Sequence, residues 1–251
     1  MKIGASTLAG IEYKLEHTLE FIENLGLEYA ELVHQFPSEN IDIDILESYN
    51  LKYSIHSPFM DVNIASLQNK SRLNSIKQIK DSIDLANKIN ADAVVVHPGL
   101  APFLANKYFI DTVYQTANES IKEIGEYGND LGVLTTIENM PTFDGMIYHN
   151  IHDLHELLVS LDMSMTLDIG HANHAGYPAE AMYFDSIKHI HAHDNFGDDD
   201  SHLALGEGSI ELNGIINTLE KNNFDGIYII EVNDCDSIKK SYEYMKNNLK
   251  I

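Results

Sequence analysis

The feature that most constrains the fold is an eightfold alternation between short β-branched runs and segments whose apolar residues recur at helical spacing. The predicted strands are Lys2–Ser6, Glu28–Val33, Lys52–His56, Ala93–His97, Val133–Glu138, Met163–Asp168, His189–Asp194 and Gly226–Val232. Strict alternation predicts an α/β protein with a parallel sheet and right-handed crossovers. Because eight such units fill 251 residues, we predict one (β/α)8 TIM-barrel domain over residues 1–251.

A doubly wound open sheet is the alternative architecture. Such a fold is expected to carry a glycine-rich phosphate loop after its first strand, whereas Gly4-Ala5-Ser6-Thr7 contains no GxGxxG pattern. The continuous apolar run Ala93–Val96 is typical of a parallel strand buried on both faces. Both observations favour the barrel.

The charge of the chain limits its ligands. With 39 Asp and Glu against 16 Lys and Arg, the formal net charge is -23, and Arg72 is the sole arginine. Such a chain repels polyanions unless bound metal reverses the local field, which excludes a general nucleic-acid coat protein but leaves a metal-dependent nuclease open. Cys235 has no second cysteine with which to form a disulfide. Since we find neither a signal peptide nor a membrane-length apolar run, we expect a cytoplasmic protein without a membrane partner.

The ends of the last six predicted strands carry an unusual set of side chains. Each ends in or beside His, Asp or Glu, as in Ser54-Ile55-His56, Val96-His97-Pro98 and Ile137-Glu138-Asn139. Taken one at a time, each of these side chains could have a purely structural role; Asp168, for example, could cap the next turn. In a barrel, however, all these groups meet at one mouth, where nine imidazoles and carboxylates are too costly to desolvate without cations. The pattern therefore predicts a site for Zn, Mn, Fe or Co.

Three motifs extend this pattern: Leu-Asp-Ile-Gly-His-Ala-Asn at 167–173, His-Ala-His-Asp-Asn-Phe-Gly at 191–197 and Asp-Ser-His-Leu-Ala-Leu-Gly-Glu-Gly at 200–208. In this order the chain resembles the xylose isomerase-like TIM-barrel superfamily, which includes endonuclease IV and many sugar-phosphate isomerases and epimerases. The resemblance to endonuclease IV implies nine ligands for three zinc ions: His56, His97, Glu138, Asp168, His171, His191, Asp200, His202 and Glu231. The isomerases and epimerases imply one ion held by Glu138, Asp168, His191 and Glu231.

Two chemistries follow from this resemblance. A divalent-metal-dependent sugar or sugar-phosphate isomerase or epimerase would use Glu138 and Glu231 to move a proton through a metal-bound enediolate. An endonuclease IV-type zinc phosphodiesterase would instead act at abasic sites in DNA. Because the strand-end loops Pro58–Asn69, Gly170–Ser186 and His191–Gly208 contain no Lys or Arg, we favour the first chemistry and a small carbohydrate as the ligand.

The remaining expectations concern the cofactor and the substrate contacts. The cofactor is expected to be Zn or Mn, with one to three ions per chain, and His193 and Asn139 are expected to contact the substrate. A barrel that binds metal without catalysis is the third possibility, and the presence of both Glu138 and Glu231 argues against it. No heptad or apolar stripe in the sequence indicates an oligomeric state.

Overall fold

Eight parallel strands close into a barrel in sequence order, with β8 pairing β1. The structure is a computed structural model that describes residues 2–248. Its strands are β1 (Lys2–Ser6), β2 (Tyr29–Val33), β3 (Lys52–His56), β4 (Val94–Val96), β5 (Thr135–Glu138), β6 (Ser164–Asp168), β7 (Ile187–Ala192) and β8 (Ile227–Ile230). The predicted (β/α)8 barrel is confirmed and the open sheet is excluded, because an open sheet leaves two unpaired edges.

Helices follow the strands and cover the outside of the barrel. They are α1 (Leu15–Asn24), α2 (Ile43–Leu46), α3 (Asn69–Ile89), α4 (Phe103–Tyr108), α5 (Ile110–Leu131), α6 (Ile151–Ser160), α7 (Ile169–His174), α8 (Leu212–Lys221) and α9 (Cys235–Asn248). The long helices bury the apolar stripes that their spacing predicts, for example Ile76, Ile79 and Ile83 of α3. Gly132, with φ 70°, ends α5 in the left-handed conformation that glycine adopts without strain.

The strand boundaries agree with the predicted ones to within a few residues, and β1 and β3 agree at both ends. Helix α6 follows β5, as the alternation predicts. Asn150 caps it by accepting hydrogen bonds from the backbone N–H groups of His152 and Asp153, and Leu154 and Leu158 form its buried face. Among residues 2–248, no helix combines the length and apolar character that a membrane crossing needs.

The barrel interior changes from apolar to polar along its axis. Tyr29, Ala93, Ile227 and Ile229 form an apolar cluster inside the barrel, towards the amino-terminal ends of the strands. Side chains two residues further along a strand lie on the same face, and β2 carries Glu31 two residues after Tyr29. The polar side chains thus lie at the carboxyl end, where the loops that form a TIM-barrel active site begin.

Candidate metal centre

Four side chains from four strands converge at the carboxyl end of the barrel. Donor atoms of Glu138, Asp168, His191 and Glu231 all lie within 4.8 Å of one another. The Nδ1 atom of His191 is 3.3 Å from Oε1 of Glu138 and 3.2 Å from Oε2 of Glu231. Asp168 reaches the group because it is paired with His191 across strands β6 and β7. We call these four residues the central group.

Two further groups of donors flank the central group. In the first, Oε2 of Glu138 lies 3.4 Å from Nε2 of His56 and 3.2 Å from Nε2 of His97. In the second, Oδ2 of Asp200 lies 3.2 Å from Nε2 of His171 and 3.3 Å from Nε2 of His202. The three groups bring together all nine residues that the sequence pattern singled out as ligands. Their assignment as ligands stays a prediction.

Several donor atoms at the centre are buried without a hydrogen-bond partner among the described residues. They include Oε2 of Glu138, Oδ2 of Asp168 and Nδ1 of His191. Unpaired buried polar atoms are rare, because each costs free energy that a partner would recover. Since imidazole nitrogens and carboxylate oxygens suit Zn and Mn, the residues present fit a divalent cation.

The two carboxylate oxygens of Asp168 have different surroundings. Oδ1 accepts a 2.7 Å hydrogen bond from the backbone N–H of His171 and so caps α7, which starts immediately after β6. Oδ2 is the atom left without a partner. Capping and metal binding, which the sequence analysis treated as alternatives, are therefore compatible in one side chain.

The carboxylates and imidazoles of the site shift one another's pKa values. Burial alone would raise the pKa of Glu138, but the imidazoles of His191 and His97 more than offset burial and hold that pKa well below its usual range. Burial alone would lower the pKa of His191, and the carboxylates around it, Glu231 foremost, instead raise that pKa well above its usual value. Without metal, the imidazolium of His191 therefore supplies positive charge to the surrounding carboxylates.

Asn139, which is expected to contact substrate, also contacts the backbone of β6. Its Oδ1 accepts a 2.8 Å hydrogen bond from the backbone N–H of Asp168, and its Nδ2 donates to the Asp168 carbonyl at 3.0 Å. The residue is fully buried and does not line the cavity above the site. The amide faces the end of β6 and holds Asp168 in place, and a contact between Asn139 and substrate stays a prediction.

His193 is also fully buried and lies outside the lining of that cavity. Its Nε2 is 3.2 Å from Oδ1 of Asp168 and 3.4 Å from Oδ1 of Asp200, and its ring stacks on His202. The ring lies so close to Gly170 that a Cβ at that position would collide with it. His193 thus packs against the second flanking group, and a contact between His193 and substrate stays a prediction.

Glu31 is a further residue of the site, which the strand-end pattern did not predict. It is fully buried in the barrel interior, with its oxygens 2.8 Å from Nε2 of His189 and 2.9 Å from Nε2 of His191. The available signal was a carboxylate in the middle of Tyr29–Val33, a strand whose five residues are all buried, since a buried charge needs a partner.

The loop that carries Asp200 and His202 is held by Asp194. This side chain is buried and accepts hydrogen bonds from the backbone N–H groups of Asn195, Gly206 and Ile210, at 3.0, 2.9 and 3.1 Å. Its backbone pairs in both directions with Leu203. Asp194 thus fixes the loop from both ends.

Asp194→Ala is expected to loosen this loop without unfolding the barrel, because three backbone N–H groups lose their acceptor. Two of them are buried, and each buried donor left unpaired costs about 1–3 kcal/mol. Hydrogen exchange followed by mass spectrometry should show faster exchange across residues 195–210 and unchanged exchange in α3. Asp198→Ala, at an exposed position of the same loop, is the control. Equal exchange in the two variants would contradict this role of Asp194.

Metal binding at the second flanking group should depend on pH. Burial alone would lower the pKa values of His171 and His202, but nearby carboxylates, chiefly Asp168 for His171 and Asp200 for His202, raise them to about 10 and about 9. Both rings are thus protonated at neutral pH and must lose a proton to bind a cation. Zinc affinity should therefore rise from about pH 7 to about pH 9, roughly tenfold per pH unit for each displaced proton, and level off above about pH 10. Calorimetry in buffers of different ionisation enthalpy counts the protons, and zinc binding without proton release at pH 7 would contradict the prediction.

A cavity of about 400 Å³ opens above the three groups. Both Glu138 and Glu231 line it, whereas Asp168 and His191 do not. Its walls are largely apolar, with contributions from Leu8, Phe59, Val62, Leu100, Met140, Phe143 and Met146, and the described residues place no Lys or Arg in its lining. A small ligand in this cavity would meet the two glutamates directly.

The barrel and its strand-end donors define the class of the protein. The sequence model of the xylose isomerase-like TIM-barrel family matches residues 19–248. The chain belongs to this family.

Solved and curated relatives agree with this assignment. The crystal structure of a D-tagatose 3-epimerase-like protein has a TM-score of 0.91 and 32% identity, and the match covers 100% of this chain and 97% of that one. An uncharacterized protein of Methanocaldococcus jannaschii, MJ1311, is 33% identical over 265 residues, which cover 100% of this chain and 90% of that protein.

More distant relatives match about two thirds of the chain and differ in chemistry. Fructoselysine 3-epimerase of Shigella flexneri is 24% identical over 168 residues, which cover 64% of this chain and 59% of that protein. A probable endonuclease 4 of Halothermothrix orenii is 25% identical over 187 residues, which cover 66% of this chain and 65% of that protein. The relatives thus include both chemistries considered from the sequence.

Proposed function

We propose that this protein is a divalent-metal-dependent isomerase or epimerase of a small sugar. One observation carries the proposal: of the four residues in the central group, only the two glutamates line the cavity. Asp168 and His191 are fully buried and would serve to hold the ion. Glu138 and Glu231, both within 3.3 Å of Nδ1 of His191, would hold the ion and also reach the substrate.

The roles of the two glutamates follow from their position. A divalent cation held by Glu138, Asp168, His191 and Glu231 would supply a Lewis acid for a carbonyl and the neighbouring hydroxyl of a sugar. One glutamate removes a proton from the carbon beside the carbonyl, and the other returns a proton to the opposite face or to the adjacent carbon. The lowered pKa of each glutamate keeps it ionised and able to act as the base. The glutamate that returns a proton must first take one up from the solvent, and the base afterwards releases to the solvent the proton it has removed.

The residues that line the cavity indicate whether the sugar carries a phosphate group. Phosphorylated substrates are usually held by Lys or Arg side chains or by a helix amino terminus, and no Lys or Arg is among the described lining residues. An unphosphorylated sugar therefore suits the cavity better. The full-length structural relative named as D-tagatose 3-epimerase-like and the fructoselysine 3-epimerase support the same class of substrate.

Solvent-deuterium incorporation into a panel of ketoses and aldoses tests the proposal. Protein loaded with Mn, Co or Zn should label at least one sugar at a single carbon, and Glu231→Gln should lose the label. A chelator should also abolish it. Absence of label across the panel from metal-loaded protein would contradict the proposal.

A phosphodiesterase of the endonuclease IV type is the second candidate, and the two flanking groups favour it. Three donor groups around Glu138 suit several ions, which can bind a phosphate and activate water together. The probable endonuclease 4 among the relatives supports this alternative. Cleavage of an abasic-site oligonucleotide, lost with chelator and restored by zinc, together with three ions per chain, would favour it over the isomerase.

A further inference from the structure

A buried carboxylate faces the central group from inside the barrel, on the side away from the cavity. Glu31 lies on β2, whereas its two imidazole contacts, His189 and His191, lie on β7. Strands β1 and β8 separate β2 from β7 in the closed barrel, so the side chain reaches across the interior. All three residues are fully buried.

The two nitrogens of His191 therefore face different partners. Nε2 lies 2.9 Å from Oε1 of Glu31, and Nδ1 lies 3.2–3.3 Å from the central carboxylates of Glu138 and Glu231. A neutral imidazole has one N–H and one bare nitrogen. An ionised Glu31 can only accept, so it favours the proton on Nε2 and leaves Nδ1 bare.

The surroundings of Glu31 hold its carboxylate in one orientation. The hydroxyl of Ser54 donates a 2.9 Å hydrogen bond to Oε2, which also faces Nε2 of His189 at 2.8 Å. Oε2 thus has a hydrogen-bond donor in Ser54, and Oε1 lies in close contact with Nε2 of His191, so both oxygens of the carboxylate are held in place.

We propose that Glu31 is a positioning residue for metal binding: it holds the Nε2–H tautomer and the ring orientation of His191, so that Nδ1 faces the cation site. A carboxylate behind a ligating histidine raises the basicity of the ligand and fixes its ring. The inference rests on the proposed role of the central group, but it concerns the cation alone and needs no substrate.

Glu31, His189 and His191 also lie close enough together to be considered as a separate cation site. An ion on Nε2 of His191 beside one on Nδ1 would require an imidazolate bridge between two cations. Because the three residues have no exposed surface, the ion would also have no water to complete its coordination. A carboxylate in close contact with the two imidazoles therefore fits this group better than a second ion.

The test compares zinc affinity in wild type, Glu31→Gln and Thr136→Val, measured by competition with a chromophoric chelator. Glu31→Gln keeps the shape of the side chain, but the new amide group offers N–H to one of the two histidines and so disturbs the tautomer. We expect this variant to bind zinc about 10–100-fold more weakly. Thr136 shares a buried 2.7 Å hydrogen bond with Thr166 in the same barrel interior, so Thr136→Val controls for the loss of any buried polar contact and should keep wild-type affinity.

A second measurement needs no variant. In the zinc-loaded wild type, long-range ¹H–¹⁵N spectra should show His191 with its proton on Nε2 and zinc on Nδ1. The opposite tautomer, or wild-type zinc affinity in Glu31→Gln, would overturn the role of Glu31 while leaving the proposed function standing. A wild-type protein that binds none of zinc, manganese and cobalt would overturn both.

Discussion

Glu138→Gln is expected to reduce turnover by about 10³-fold or more and to weaken metal binding at two of the three donor groups. Glu138 lies at the centre of the site, with Oε1 facing His191 and Oε2 facing His56 and His97. The substitution keeps the shape of the side chain but removes its charge. General acid–base catalysis alone contributes about 10²–10⁴-fold, and the weakened cation site adds to that loss.

Two readouts check this prediction: deuterium incorporation into the best sugar of the panel, and metal content after dialysis. Glu207→Gln is a matched control, because Glu207 is exposed on the same loop as Asp200 and pairs with Lys240 at the surface. The control should keep both turnover and metal content. Wild-type metal content together with wild-type turnover in Glu138→Gln would show that this carboxylate is not at the centre of the chemistry.

Divalent metal is expected to raise the thermal unfolding midpoint by roughly 10 °C. An ion that binds only the folded state adds about 4 kcal/mol when its free concentration is a thousandfold above its dissociation constant. For a chain of this length, each kcal/mol raises the midpoint by about 2–4 °C. The midpoint rises because the cation replaces the imidazolium groups as the positive charge of the site and pairs with all the central carboxylates.

Differential scanning calorimetry with zinc, with manganese and with a chelator measures this effect. Glu138→Gln should show a much smaller shift, since it lacks the carboxylate shared by two groups. The same midpoint with and without every transition metal would mean that the donor groups are a hydrogen-bonded network with no cation. The order of the metals would also indicate which one the site prefers.

The strand ends were predictable because they combine two independent signals. Runs such as Ala93–Val96 are continuously apolar, which indicates buried parallel strands, and a polar residue follows them directly. Barrel geometry then brings residues as distant in sequence as His56 and Glu231 to one mouth. Neither step needs the orientation of an individual side chain.

The roles of individual side chains inside the site were harder to predict from the sequence. The pattern at 189–193 places three histidines at alternate positions, but it does not say that His191 faces the central group while His193 lies under Asp200. Asn139 is next to Glu138 in sequence, yet its amide holds the backbone of Asp168. Such roles depend on how neighbouring strands are paired, which is a long-range property of the barrel.

The contacts of Glu31 could not be predicted from the sequence for a different reason. A single carboxylate in an apolar strand can point inward to a partner or outward to a helix, and spacing within the strand does not decide between them. Its partners, His189 and His191, lie three strands away around the barrel. Only the closed barrel brings them together.

The central claim is that Glu138, Asp168, His191 and Glu231 surround a divalent cation. Anomalous diffraction from crystals grown with zinc, recorded on both sides of the zinc absorption edge, tests it most directly. We predict an anomalous peak within coordination distance of Nδ1 of His191 and of the three carboxylates; further peaks at the flanking groups would report how many ions the site holds. A map with no peak between these four side chains, or with the side chains turned away from one another, would contradict the account.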